Sequence, residues 1–261
     1  MTESNTVGTA PDDYDAMHHA AQNSPLLHEL WARAMGDEYP LGVEPTSCCS
    51  WWLLGHAVAA LRLRPGARLV DLGCGRGGPG LWLARALSVR LIGIDFSAAA
   101  IEIAAQRADD FVTPDRAEFR QGSFEQTGLP DEYADGLLSV DALPFSPDRQ
   151  AALREASRIL APGGRFVLTA REQPADVGSW PTMATAAGFD VELVLPNTEH
   201  DDFWRRLFAS YPENAAALRA ELGERAANNL MLEAEIALAK GLPKRQAQLL
   251  VLRRRDTKPA A

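Results

Sequence analysis

The apolar segment Arg68-Leu69-Val70-Asp71-Leu72 ends on a carboxylate and runs into Gly73-Cys74-Gly75-Arg76-Gly77-Gly78, after which residues 81–87 follow a helical pattern. Strand, acid, glycine-dense loop and helix in that order constrain this chain more than anything else in it. Glycine lets the backbone turn tightly and approach a ligand closely, because no Cβ stands in the way. Taken alone, Gly73-x-Gly75-x-x-Gly78 also fits the dinucleotide fingerprint, a match of low specificity. Asp71 alters that reading. A carboxylate at the strand tip would repel a pyrophosphate and attract an ammonium or sulfonium centre.

Downstream, strands and helices alternate, the signature of a parallel sheet with helices on both faces. Strands are expected at 68–72, 90–94, 117–121, 134–140, 165–170 and 189–195, and a last one at 248–252. Between them, Ser97 can cap a helix over 98–108 that buries Ile101, Ala104, Ala105 and Ala108. Asp148 can cap a helix over 149–160, and Pro162-Gly163-Gly164 is expected to turn the chain into the fifth strand. A short helix over 180–187 precedes the sixth strand.

The acidic residue followed by a Gly-x-Gly loop resembles the first motif of the class I S-adenosylmethionine-dependent methyltransferases. The resemblance covers about residues 65–196 and the last strand. It implies a doubly wound, Rossmann-like α/β sheet of seven strands, the last inserted antiparallel, with S-adenosylmethionine as cofactor. The regions outside it divide the chain further. Residues 1–64 are expected to form a disordered tail (1–12) and an N-terminal helical lid separable from the core. Residues 197–246 should form a helical insertion, a substrate lid, and 247–261 the last strand and a basic tail.

Bulk properties exclude some partners. A net charge of −9 argues against nucleic acid or an anionic membrane, since both require a cationic face. Arg253-Arg254-Arg255 with Lys258 is the one basic cluster and is taken as a solvated end. The longest apolar run, from Trp51 to Leu63, contains His56 and is too short to span a bilayer. Three cysteines, two of them adjacent, do not make a disulfide framework, and no apolar leader opens the chain, so a reduced cytoplasm is expected.

Several positions carry candidate chemistry. Asp71 with Gly73 and Gly75 should hold the methionine end of the cofactor. Asp95, twenty-four positions after Asp71, suits a pair of ribose hydroxyls, because an ionised carboxylate accepts two hydrogen bonds. Phe96 can pack on the adenine face. By the resemblance, Gly122-Ser123-Phe124 meets the adenine amino group, with Ser123 standing where relatives usually have Asp, and Ser139 lies beside the methionine moiety. Asp141 falls near the methyl-transfer point. Ser139-Val140-Asp141-Ala142 does not match the Asn/Asp-Pro-Pro-aromatic signature of DNA amino-methyltransferases, which again disfavours a nucleic-acid substrate.

His200, flanked by Glu199, Asp201 and Asp202, has the setting of a general base, or simply of an exposed polar turn. Trp51, Trp52 and Trp180 can wall an aromatic substrate pocket or serve as core. Metal-binding spacing is absent: there is no His-x-x-x-His and no Cys-x-x-Cys. The expectation is therefore a methyltransferase acting on a small molecule, of the kind found in secondary metabolism. A nicotinamide-dependent oxidoreductase and a non-catalytic S-adenosylmethionine-binding protein remain as alternatives.

Overall fold

The computed structural model describes residues 11–172, 179–242 and 246–256. Seven strands form one sheet: β1 (Arg68–Leu72), β2 (Arg90–Asp95), β3 (Ala117–Gln121), β4 (Ala134–Ser139), β5 (Leu160–Glu172), β6 (Phe189–Pro196) and β7 (Gln246–Arg254). Their order is β3-β2-β1-β4-β5-β7-β6, and β7 pairs antiparallel with both neighbours. This is the expected Rossmann-like arrangement with its inverted closing strand. The order reverses beside β1, so the loops after β1 and β4 diverge and leave the crevice where ligands of open α/β sheets bind.

The apolar alternation explains why β1 sits at the centre. Leu69 packs into a core with α3 (Trp51–Leu61) and α4 (Gly78–Leu87), whereas Val70 and Leu72 face α6 (Arg149–Ile159) and α7 (Trp180–Ala186) on the other side. A strand covered on both faces must be apolar almost throughout, and Asp71 is its exception. In β7, Leu249 and Val251 join the first core while Leu250 and Leu252 join the second.

The helices before α3 and those of the insertion make one helical layer. It comprises α1 (Pro11–Gln22), α2 (Pro25–Met35), α8 (His200–Glu213) and α9 (Ala215–Ile236), followed by a π-helical turn at Ala237–Gly241. Ser24 caps α2, accepting from the Leu27 amide, and its hydroxyl donates to Glu221 of α9 at 2.5 Å. Trp31 stacks on Phe203 and Trp204 with ring centroids 5.5 Å apart, and Arg206 donates to the Ala34 carbonyl at 2.7 Å. Leu27, Leu30, Trp31, Val43, Cys48 and Cys49 are all buried. These N-terminal residues pack in the main core, and α1 lies as a strap across it.

Other local differences have physical causes. The helix α5 (Ala98–Arg107) is capped by Ser97 as expected, but it buries Ala99, Ala100, Ile103 and Ala104, with Ile101 half-buried and Ala105 exposed. In so alanine-rich a helix the side chains do not mark the face, and the sheet chooses it. Pro162-Gly163-Gly164 does not separate helix from strand. β5 is continuous from Leu160, with a register shift opposite Ala134 and Gly136 absorbing the irregularity. The helix α4 begins at Gly78, three residues before its apolar pattern shows. Residues 1–10, within the expected tail, and Lys258 of the basic cluster lie outside the described residues.

Candidate active site

At the carboxyl end of β1 the chain turns through Gly73 (φ 74°), Gly75 (φ 50°) and Gly77 (φ 77°), left-handed values that side chains other than glycine rarely adopt. The Gly73 and Cys74 amides donate to the Ile94 carbonyl at 2.8 and 3.0 Å, which fastens the loop to the end of β2. Close packing sets a second demand: a Cβ on Gly73 would lie 2.3 Å from the Ala142 Cβ and 3.0 Å from the Phe124 ring.

Asp71 is buried, 2% exposed, and accepts from the Gly80 amide in the first turn of α4. Burial, reinforced by nearby Asp95, pushes its pKa up to about 7. A cation beside it would reverse that shift. Asp95, at the tip of β2, accepts from Gly75 N at 2.8 Å through one carboxylate oxygen and from Ser97 N at 3.0 Å through the other. Burial raises its pKa, and the three backbone amides of Ser97, Gly75 and Phe96 oppose the rise. Each oxygen keeps a second lone pair for a ligand hydroxyl.

The helix α1 covers this loop. Asp15 accepts from Ser97 Oγ at 2.5 Å and from Ala99 N at 3.3 Å, which pins α1 to the start of α5. His18 then lies over Gly75, its Cε1 being 3.8 Å from where a Cβ would stand. Burial first, and the Arg76 guanidinium next, lower the His18 pKa to about 4, so the ring is neutral at pH 7. Arg76 also faces His28 of α2, whose pKa falls for the same two reasons. His18 Nδ1, His28 Nε2 and Arg76 Nε are buried with no hydrogen-bond partner in the protein, three of the four such atoms among the described residues. Buried polar atoms are normally paired. Three orphans around one guanidinium beside a glycine loop therefore mark a place built for an anionic or polar group.

The expected adenine contacts are placed unevenly. Gly122 N donates to the Asp95 carbonyl at 2.9 Å, so this segment does follow the end of β2. Phe124 lays its ring against Gly73. Ser123 is exposed, and its hydroxyl accepts from Gln126 N at 3.2 Å in a local turn. Phe96 is half-buried, its carbonyl bound by Gln121 at 2.9 Å. Ser139 is fully buried, and its hydroxyl donates to the Leu72 carbonyl at 2.8 Å. Its observed contact ties β4 to β1.

Past β4, Asp141 adopts φ 53°, a strained value for a non-glycine residue. Its carboxylate accepts from Cys48 N at 2.7 Å and from Thr169 Oγ1 at 3.1 Å. Burial alone would raise the Asp141 pKa; Arg171, His200 and the Cys48 hydrogen bonds outweigh it and hold the carboxyl below its usual range. His200 is buried, 2% exposed, and does not sit in a polar surface turn. Its Nδ1 is 3.0 Å from Asp201 and its Nε2 accepts from the Trp204 indole at 3.1 Å. Donor atoms of Cys48, Asp141 and His200 all lie within 4.8 Å of one another.

The tryptophans separate. Trp52 lines the same recess as Asp141 and His200. Trp51 packs edge-on against Trp82, ring centroids 5.6 Å apart. Trp180 is 1% exposed, packs in the second core and donates to the Arg171 carbonyl at 3.1 Å, so it is core and not pocket wall.

Sequence reading thus paired Asp71 with Asp95 and named both Asp141 and His200, but missed Asp15, His18, His28, Arg76 and Cys48. Arg76 carried the one available signal, a charged residue inside the glycine loop. The others depend on which distant segments meet.

A crevice with two acids near adjacent strand tips, in a sheet closed by an antiparallel strand, is the arrangement of the methyltransferase-type Rossmann fold. Comparison with known proteins agrees. A family model described as a methyltransferase domain matches residues 70–168. The chain is similar to 27-O-demethylrifamycin SV methyltransferase of Amycolatopsis mediterranei, 34% identical over 148 residues that cover 55% of this chain and 53% of that one. It is also similar to methyltransferase GfsG of Streptomyces halstedii, 27% identical over 212 residues, or 77% of this chain and 74% of that one. Among solved structures, the [4+2]-cyclase SpnF superposes with a TM-score of 0.69 at 22% identity, covering 91% of this chain and 96% of that one. Residues 70–168 thus match a methyltransferase domain, and the likeness is to the class I S-adenosylmethionine-dependent methyltransferases. The match spans about half the length of the rifamycin enzyme. Among the described residues, no helix is long and apolar enough to cross a membrane.

Proposed function

We propose that this protein transfers the methyl group of S-adenosylmethionine to a small-molecule acceptor, as a cytoplasmic enzyme of secondary metabolism. The observation that carries the reading is the buried Asp71, set behind the glycine loop with Asp95 at the neighbouring strand tip. Asp71 would face the cationic methionine end, and Asp95 the ribose. His18, His28 and Arg76 would take the carboxylate, which answers their unpaired nitrogens. Phe96, Gly122, Ser123 and Phe124 would border the adenine, the side chain of Ser123 contributing least because its own turn engages it.

In such a site the acceptor atom attacks the methyl carbon in line with the carbon–sulfur bond, and the electron pair leaves on sulfur. Positioning contributes roughly 7–11 kcal/mol to a reaction of this kind. The layer formed by α1, α2, α8 and α9 would exclude water while the groups are held in line. Asp141 and Trp52 would meet the acceptor, with His200 beside them in the same recess. The acidic net charge supports a small molecule over nucleic acid as substrate.

One structural neighbour is a [4+2]-cyclase, so this fold also serves other chemistry and the decisive measurement is transfer itself. Labelled S-adenosylmethionine is incubated with the protein and a panel of hydroxylated macrocyclic, aromatic and fatty acceptors. Label in an acceptor with release of S-adenosylhomocysteine supports the reading. Tight S-adenosylhomocysteine binding with no transfer across the panel would move the protein to a binding or non-methylating role, and thermal stabilisation by a nicotinamide cofactor alone would overturn it.

A further inference from the structure

We propose that Cys48, Asp141 and His200 form a three-ligand site for a divalent transition metal, zinc foremost, on the acceptor side of the cofactor. The three come from separate segments: the loop before α3, the turn after β4 and the first residue of α8. No spacing motif can reveal them, because 93 positions separate Cys48 from Asp141. Yet their donor atoms lie within 4.8 Å of one another. Zinc bonds of about 2.0–2.3 Å in a tetrahedron need ligand atoms about 3.3–3.8 Å apart, so the set has to close by about 1 Å, within reach of side-chain rotation.

The donor chemistry selects the ion. A thiolate and a carboxylate supply two negative charges and imidazole none, with the Asp201 carboxylate beside His200 and the Arg171 cation near Cys48 and Asp141 balancing one another around a buried dication. Thiolate with imidazole favours zinc or cobalt over magnesium or calcium. Cysteine binds zinc as the thiolate, so the ion would displace the Cys48 proton.

The surroundings are arranged as metal sites require. Asp201 holds His200 Nδ1 at 3.0 Å, which leaves Nε2 as the metal ligand in a carboxylate–histidine–metal row. The Trp204 indole donates to Nε2 at 3.1 Å, a bond that an ion at that lone pair would replace. Asp141 is held by Cys48 N and Thr169 Oγ1, one bond on each oxygen, and its strained φ fixes the carboxylate toward Cys48 and His200. Gln248, whose buried Nε2 has no partner, lines the same recess.

Three protein ligands leave a fourth position open, the arrangement of catalytic rather than structural zinc. An acceptor hydroxyl bound there would be easier to deprotonate, its proton passing to water. The oxygen lone pair then forms the new bond to methyl as the carbon–sulfur bond breaks toward sulfur. This role rests on the methyl-transfer reading; the metal site itself does not.

The test uses the full chain after dialysis against a chelator, titrated with zinc, cobalt and magnesium by calorimetry and absorption. One equivalent of zinc should bind. Cobalt should give tetrahedral d–d bands and a near-ultraviolet thiolate-to-cobalt charge-transfer band that Cys48→Ser abolishes, and His200→Ala should weaken binding at least tenfold. S-adenosylhomocysteine titrated into each variant reports the integrity of the fold. No stoichiometric zinc or cobalt binding by wild-type protein that still binds S-adenosylhomocysteine overturns the metal site and leaves the methyl-transfer reading intact. Cobalt spectra unaltered by Cys48→Ser, or magnesium bound as tightly as zinc, would overturn it too. Metal bound with no affinity for S-adenosylhomocysteine would instead remove the methyl-transfer reading.

Discussion

Asp95 Oδ2 accepts the Gly75 amide at 2.8 Å, so the acid at the tip of β2 also holds the loop that follows β1. One carboxylate therefore has two tasks, and removing it should disturb both. Asp95→Ala is expected to weaken S-adenosylhomocysteine binding by about 1.5–3 kcal/mol, the range for hydrogen bonds to a charged group. It should also destabilise the fold by about 1–3 kcal/mol, because the Gly75 and Ser97 amides lose their acceptor. Calorimetric titration and thermal melting on one preparation check this; unchanged affinity would remove Asp95 from the ribose.

Asp71 makes stability and cofactor affinity respond to pH in opposite directions. Its folded pKa of about 7, raised mainly by burial, lies above the unfolded value of about 4. The contribution to stability is therefore fully present below about pH 4 and lost as pH rises through 7. A cationic ligand draws the group to its ionised form, so affinity should increase from pH 6 to 8 with release of up to one proton. Asp71→Asn keeps the acceptor for the Gly80 amide and should be more stable than wild type at pH 8, yet bind S-adenosylhomocysteine at least tenfold more weakly. Titration in buffers of different ionisation enthalpy reads the proton; no release would separate Asp71 from the cofactor.

Gly73 is required twice over, by its positive φ and by the 2.3 Å that a Cβ would leave to Ala142. Gly73→Ala should cost about 2–6 kcal/mol of stability and most cofactor affinity, since strain and overpacking each contribute about 1–3 kcal/mol. Gly66, also at positive φ (84°) but with nothing within 4 Å of a Cβ, is the control and should lose about 1 kcal/mol. Melting curves that rank the two variants equally would show that φ alone matters at Gly73.

Sequence alone revealed those parts of the fold that are written locally. Asp71, Gly73 and Asp95 stand at strand tips whose apolar runs mark them, and Ser50, Ser97 and Asp148 cap their helices as side-chain chemistry predicts. The buried face of α5 was not legible, because alanine satisfies either face. Nor was the cluster of Cys48, Asp141 and His200, nor the position of His18 over Gly75. Those depend on packing between segments far apart in the chain, which no periodicity or spacing records. Trp180, which composition leaves open as pocket wall or core, lies in the core, where its indole N–H donates to the Arg171 carbonyl.

The strap formed by α1 gives the last prediction. Among its described side chains only His18 and Ala21 are buried, whereas residues 23–50 include Leu27, Leu30, Trp31, Val43 and Cys49. Deleting residues 1–22 should leave a cooperatively folding protein whose affinity for S-adenosylhomocysteine falls at least tenfold, because the cover over Gly75 is gone. Deleting residues 1–50 should abolish cooperative melting, since large apolar residues leave the main core. Asp15→Ala, which releases α1 from Ser97 and Ala99, should give a milder form of the first result, with faster hydrogen exchange across α1 and a faster cofactor off-rate. Cofactor affinity unchanged by the shorter deletion would make α1 an appendage and leave the anion to Arg76 and His28.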